Sequence, residues 1–131
     1  MRVIVSACLM GRRCRYDDGS KPSAAVQAWV RDHEVLAVCP EEHLGVPRPA
    51  ANLVGGDGHD VLDGTARVMT ADKDVTQAFI AGAERCVRDA DQAILKARSP
   101  SCGCAENGGF DGVFAALLRR KGVPVRTDED L

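Results

Sequence analysis

The sequence predicts an α/β fold: a single three-layer domain over residues 1–131, with a mostly parallel sheet and helices on both faces. Short runs rich in Val, Ile, Ala and Leu alternate along the chain with segments whose apolar residues recur every three or four positions, the order expected of strand–helix–strand units. The strand-like runs are apolar nearly throughout, as strands buried on both faces are. With 131 residues, 45% hydrophobic and 27% charged, the chain has the size and composition of an ordinary globular protein with one core.

Residues 2–8 read as a first buried strand, followed by a polar, Gly-punctuated loop over 11–19. Pro22 to about Asp32 reads as a helix, with Pro22 suited to the first turn and Ala25, Val26, Trp29 and Val30 on one face. Residues 34–39 form a second buried strand, and the prolines and Gly45 between Pro40 and Asn52 make a long loop of the kind that often carries function. The Gly- and Asp-rich stretch 53–70 reads as a small hairpin or an irregular segment. A long helix begins at Asp74-Val75-Thr76 and runs to about Asp89, its apolar stripe formed by Val75, Ala78, Phe79, Gly82, Ala83, Cys86 and Val87. A third strand over 91–97, a Gly-rich loop over 99–112, a helix over about 112–121 stopped by Gly122, and a strand at Val123–Arg126 complete the pattern.

Three cysteines stand at or just beyond the far ends of apolar runs: Cys8, Cys39 and Cys102. If those runs are neighbouring parallel strands, the thiols gather on one sheet edge, where open α/β sheets bind ligands. Three converging thiolates can hold a metal or a cluster and leave one coordination position open. Cys39-Pro40-Glu41-Glu42 adds two carboxylates, one of which could move protons beside a bound substrate. Ser99-Pro100-Ser101-Cys102-Gly103-Cys104 is a turn whose N–H groups can face an anion or sulfide. Cys14 could be a further ligand or a surface thiol, Cys86 sits on a core-facing helix stripe, and His33, His43 and His59 form no paired ligand motif.

Composition also excludes. A net charge of −2 and an aromatic share of 4% leave no basic stripe and no base-stacking platform, so nucleic acid is not an expected partner. The six cysteines read as metal-binding or catalytic rather than as a disulfide scaffold. Only seven residues precede Cys8, too few for a lipoprotein signal peptide, and no apolar run is long enough to span a bilayer; the expected location is the cytoplasm. Gly55-Gly56-Asp57-Gly58 lacks the phosphate-loop pattern and reads as a turn, no Cys-x-x-Cys redox motif is present, and no Ser has an obvious His partner.

Ser6-Ala7-Cys8-Leu9-Met10-Gly11, Val38-Cys39-Pro40-Glu41, Pro47-Arg48-Pro49, Asp74-Val75-Thr76-Gln77-Ala78-Phe79, Ser99-Pro100-Ser101-Cys102-Gly103 and Asp111-Gly112-Val113-Phe114 follow one another in an order that resembles a family of small bacterial proteins, formerly labelled a domain of unknown function, that includes the thiouracil desulfidases. The resemblance covers nearly the whole chain. It implies a [4Fe–4S] cluster held by Cys8, Cys39 and Cys102, with the fourth iron open to the sulfur of a thiolated pyrimidine. It further implies that Glu41 and Ser101 assist proton transfer and orient substrate or water during a C–S cleavage without net redox change. An open iron is a soft Lewis acid that prefers sulfur, in agreement with that chemistry. The chain departs from the family pattern at Glu42-His43-Leu44, at Asn52 and in a Gly-rich segment missing after Phe114. The competing expectations are a zinc site on the same three thiols and a base- or nucleotide-binding module without chemistry.

Overall fold

The computed structural model describes residues 1–11, 22–41, 51–97, 99, 101–102 and 110–130. Four strands, β1 (Arg2–Ser6), β2 (Glu34–Val38), β5 (Gln92–Leu95) and β6 (Val125–Thr127), form one sheet in the order β2-β1-β5-β6. Every pairing in it is parallel. β3 (Asn52–Val54) and β4 (Arg67–Met69) pair antiparallel in a separate ribbon. The helices are α1 (Ala24–Trp29), α2 (Gly58–Asp63), α3 (Thr76–Cys86) and α4 (Val113–Arg120).

Strand alternation divides the core into two layers. Val3, Val5 and Ile94 point to the side covered by α1, where they pack with Leu9, Val26 and Val30. Ile4, Ala93, Leu95 and Val125 point to the other side and meet Val61 of α2, Phe79, Ala83 and Cys86 of α3, and Val113, Phe114, Ala115 and Leu118 of α4. Helices on both faces of a parallel sheet are what the apolar runs predict. Phe79 and Phe114 are fully buried, and each such side chain stabilises the fold by about 2–3 kcal/mol.

Local chemistry sets the helix ends. The Ser23 hydroxyl accepts the Val26 N–H, so Ser23 caps α1 and Pro22 lies before the cap rather than in the first turn. α3 ends at Cys86, where Val87 turns extended, three residues short of the expected Asp89. At its start the Asp74 carboxylate accepts the Thr76 N–H at 2.8 Å, and hydrogen bonding by the Thr76 side chain and then its backbone holds that carboxyl below its usual range; the Thr76 hydroxyl accepts the Val68 N–H at 2.9 Å. The stretch 53–70 is a hairpin interrupted by a helix. Asp57 accepts the N–H groups of His59 and Asp60, and Asp60 accepts that of Asp57, a capping box built from two aspartates.

The sheet order also sets where a ligand can sit. From β1 the chain goes to β2 on one side and then returns to β5 on the other, so the order reverses between β1 and β5. The crevice beyond the C-terminal ends of the strands at such a reversal is the binding position of open α/β sheets. The next residues of β1 and β5 are those singled out in the sequence.

Candidate active site at the sheet's reversal point

Cys8 does not end a strand. β1 stops at Ser6, and Ala7–Met10 form a 3-10 turn that buries Cys8 and closes on Gly11, whose N–H donates to the Cys8 carbonyl at 3.2 Å. Gly11 has φ 97°, a left-handed conformation that glycine adopts without the steric cost of a Cβ. The turn carries Cys8 out of the pleat onto the α1 side.

Cys39 follows β2 directly, because Ser6 is in register with Val38, and it packs against the same cluster as Cys8. The next residues run against α3, where Gly82 faces the carbonyl of Pro40 so closely that a Cβ there would collide with it. Gly82 therefore lets the Cys39-Pro40-Glu41 segment lie on the helix, and Cys86 is one turn further along α3.

Cys102 is carried by the turn after β5. The carbonyl of Ser101 accepts the N–H groups of Phe114 and Ala115 at 2.7 and 3.0 Å, so the first turn of α4 anchors the cysteine's neighbour. The Ser99 hydroxyl accepts the N–H groups of Ser101 and Cys102, both at 3.1 Å, and donates its one proton to Glu41 Oε2 at 3.4 Å. Ser99 thus ties the half-buried Glu41 carboxylate to the turn that holds Cys102.

Around Cys102 the structure gathers Ser6, Glu41, Cys39 and Cys86. Burial pushes its thiol far above the ordinary range, and the negative charges of Glu41, Cys39 and Cys86 add to that; only the hydrogen bond from Ser6 acts the other way. Such a thiol gives up its proton when a cation arrives to replace it. Cys8, Cys39, Cys86 and Cys102 are thiols, not half-cystines. Ser101 Oγ is buried with no hydrogen-bond partner among the described residues, so a donor and acceptor stands unused beside Cys102.

Of the residues read from sequence, Cys39 and Glu41 lie in the surroundings of Cys102 and Ser101 adjoins it in the same turn, while Cys8 packs on the α1 side in a cluster that Cys39 also touches. Cys14, Glu42, His43 and Cys104 lie outside the described residues. His59 is half-buried in a different arrangement: its Nε2 is 2.7 Å from Asp111 Oδ2, which also pairs with Arg119 Nε at 3.0 Å, pinning α2 to α4. Asn52 is an exposed residue of β3 opposite Met69. Ser6 and Ser99 have no obvious His partner in the sequence, and their one signal there is their place inside the cysteine motifs.

Thiol donors of the kind at Cys8, Cys39 and Cys102 suit a zinc ion and an iron–sulfur cluster alike. Among the described residues no group of three or more His, Cys, Asp or Glu side chains is gathered as for a single metal ion.

Comparison with known proteins decides the family. The profile of the 2-thiouracil desulfurases matches residues 3–130. The chain belongs to that family. It is an enzyme of the desulfidase class. A solved structure, the [4Fe-4S]-dependent thiouracil desulfidase TudS, is similar over 99% of this chain and 92% of its own, with a TM-score of 0.78 and 36% identity. The uncharacterized protein YbbK of Bacillus subtilis (strain 168) is 37% identical over 98% of this chain and 97% of YbbK. That alignment runs to 146 positions, more than this chain has residues, so the chain lacks segments that the relative carries. The fold expectation and the family resemblance are borne out together.

Proposed function

We propose that this chain, working as one domain, removes sulfur from a small thiolated compound of the thiouracil type, with Cys8, Cys39 and Cys102 holding a [4Fe–4S] cluster. The reaction consumes water: the C=S carbon becomes C=O and the sulfur leaves as hydrogen sulfide, with no net oxidation or reduction. When bound, the cluster supplies a soft Lewis acid for the substrate's sulfur at the iron that no cysteine holds. The observation that carries the reading is the set of groups around Cys102 at the reversal point of the sheet, on a chain of the desulfurase family.

The chain's own residues divide the rest of the work. Glu41 is the proton carrier: it is half-buried, next to Cys102, and kept in place by the Ser99 hydroxyl. It would take a proton from the attacking water and deliver one to the departing sulfur, a service that contributes about 10²–10⁴-fold in comparable sites. The buried Ser101 hydroxyl, without a partner among the described residues, orients the substrate or that water. The partner is a small molecule rather than nucleic acid or a membrane; no described helix is long and apolar enough to cross a bilayer. The cytoplasm is the location we assign.

The test is anaerobic reconstitution followed by iron and acid-labile sulfide analysis and a sulfide-release assay on 2-thiouracil. About four irons per chain with uracil and sulfide formed in equal amounts is the expected result. A fully loaded protein that releases no sulfide from thiouracil or thiolated nucleosides would overturn the activity, and one zinc per chain in a colourless, iron-refusing protein would overturn the cluster. Glu41→Gln should keep its iron and lose at least about 100-fold in kcat.

A further inference from the structure

β5 ends at Leu95, between β1 and β6 in the sheet, and successive N–H groups of such a strand turn to opposite neighbours. Just past its end two side chains take over from the strands. The Lys96 N–H donates to Ser6 Oγ, at the end of β1, and the Ala97 N–H donates to Asp128 Oδ1, just past the end of β6, both at 2.8 Å. Ala97 is 3% exposed, so its backbone polar groups need partners inside the protein. Its N–H has Asp128, and its carbonyl accepts a hydrogen bond from Lys96 Nζ at 3.1 Å. The same ammonium lies 4.0 Å from Asp128 Oδ2, and the two side chains are only 22% and 19% exposed. Lys96 and Asp128 thus close a ring around Ala97. Asp128 opens the 3-10 turn Asp128–Asp130, which is tied back to β6 by the Thr127 N–H donating to Asp130 Oδ2 at 2.8 Å.

We propose that Asp128 is a positioning residue for the turn that presents Ser101 and Cys102: its carboxylate fixes Ala97 and, with Lys96, sets the direction in which the chain leaves the sheet. This rests on the proposed ligand role of Cys102. The far side of the turn is held by Ser99 Oγ, which accepts the N–H groups of Ser101 and Cys102, and by α4 through the Ser101 carbonyl. Asp128 holds the near side. Without it the buried Ala97 N–H loses its acceptor and Lys96 its counter-charge, and the turn shifts to satisfy them. Groups that orient metal ligands typically change metal affinity 10–100-fold when removed.

The experiment compares reconstituted wild type, Asp128→Ala and Asp128→Asn by the rate of iron release to a chelator under anaerobic conditions and by the cluster's visible charge-transfer band. Asp128→Ala should release iron about tenfold faster or more, with a displaced band. Asp128→Asn keeps a carbonyl oxygen for the Ala97 N–H and should restore both. An Asn variant that loses iron as fast as the Ala variant overturns the inference, as does a wild-type release rate in Asp128→Ala. Val26→Ala, on the other face of the sheet, controls for stability: equal acceleration there marks a merely structural effect and also overturns it. If Asp128→Ala does not accumulate as folded protein, Asp128→Ser, whose hydroxyl is too short to reach Ala97, carries the same comparison. Cys102→Ser separates the two levels. Iron retained in that variant overturns the ligand assignment itself; iron lost there but unaltered in Asp128→Ala overturns only the role of Asp128.

Discussion

The two faces of the central sheet are covered unequally. On one side α2, α3 and α4 bury Val61, Phe79, Ala83, Phe114 and Leu118 in a broad layer. On the other, the short α1 contributes Val26 and Val30, with Trp29 partly buried at the edge. The proposed ligands are split between them: Cys102 belongs to the broad layer, and Cys8 and Cys39 to the thin one. The broad layer sets the turn of Cys102 through α4 and the Cys39–Glu41 segment through Gly82 of α3. The thin layer has only to keep Cys8 in place, and Gly11 does most of that locally. The lesson is that stability and site geometry are coupled on one face and nearly separable on the other.

Breaking the broad face should give the largest effect. Phe114→Ala removes a fully buried ring next to the N–H that holds Ser101, and should cost about 3–5 kcal/mol in urea unfolding together with the ability to retain iron. A variant as stable as wild type would show that α4 does not support the site. Next comes Gly82→Ala, whose methyl group would press on the Pro40 carbonyl. Overpacking of this kind costs about 1–3 kcal/mol, and the loss of kcat should exceed what the shift in stability explains, since Glu41 is displaced.

On the thin face, Val26→Ala should destabilise by about 1–2 kcal/mol and leave kcat and iron content of the folded protein within about twofold of wild type. Equal damage to activity from Val26→Ala and Gly82→Ala would erase the contrast between the faces. The smallest effect is expected at the exposed Asp74, whose carboxyl is held low by hydrogen bonds from Thr76. A depressed carboxyl contributes stability that is present above its unfolded value of about 3.9 and is lost as pH falls through the folded one. Thermal melts at pH 7 and pH 3 should therefore show a slightly larger drop for wild type than for Asp74→Asn; identical drops would remove Asp74 as a contributor.

What could be read along the chain was whatever its neighbours in sequence decide. The apolar runs predict the sheet, and the spacing Val75, Phe79, Ala83, Cys86 predicts α3. The helix α2 was missed because six residues are too few to show a period, and its cap uses Asp60 where a Glu or Gln is the usual partner. The 3-10 turn at Cys8 was read as strand because Ala7, Cys8 and Leu9 are as apolar as the strand before them. The roles expected of the three cysteines and Glu41 rest on residue type and on family motifs that span nearly the whole chain.

Residue order by itself determined the layer architecture and the family, since strand and helix patterns and motifs are properties of short segments. Only the tertiary structure decided which hydroxyl serves which group. Ser6 accepts the N–H of Lys96, and Ser99 donates to Glu41, because the register of β1 between β2 and β5 brings those strand ends side by side. A hydroxyl can donate one proton to any acceptor within about 3 Å, so its role is set by which acceptor the fold delivers there.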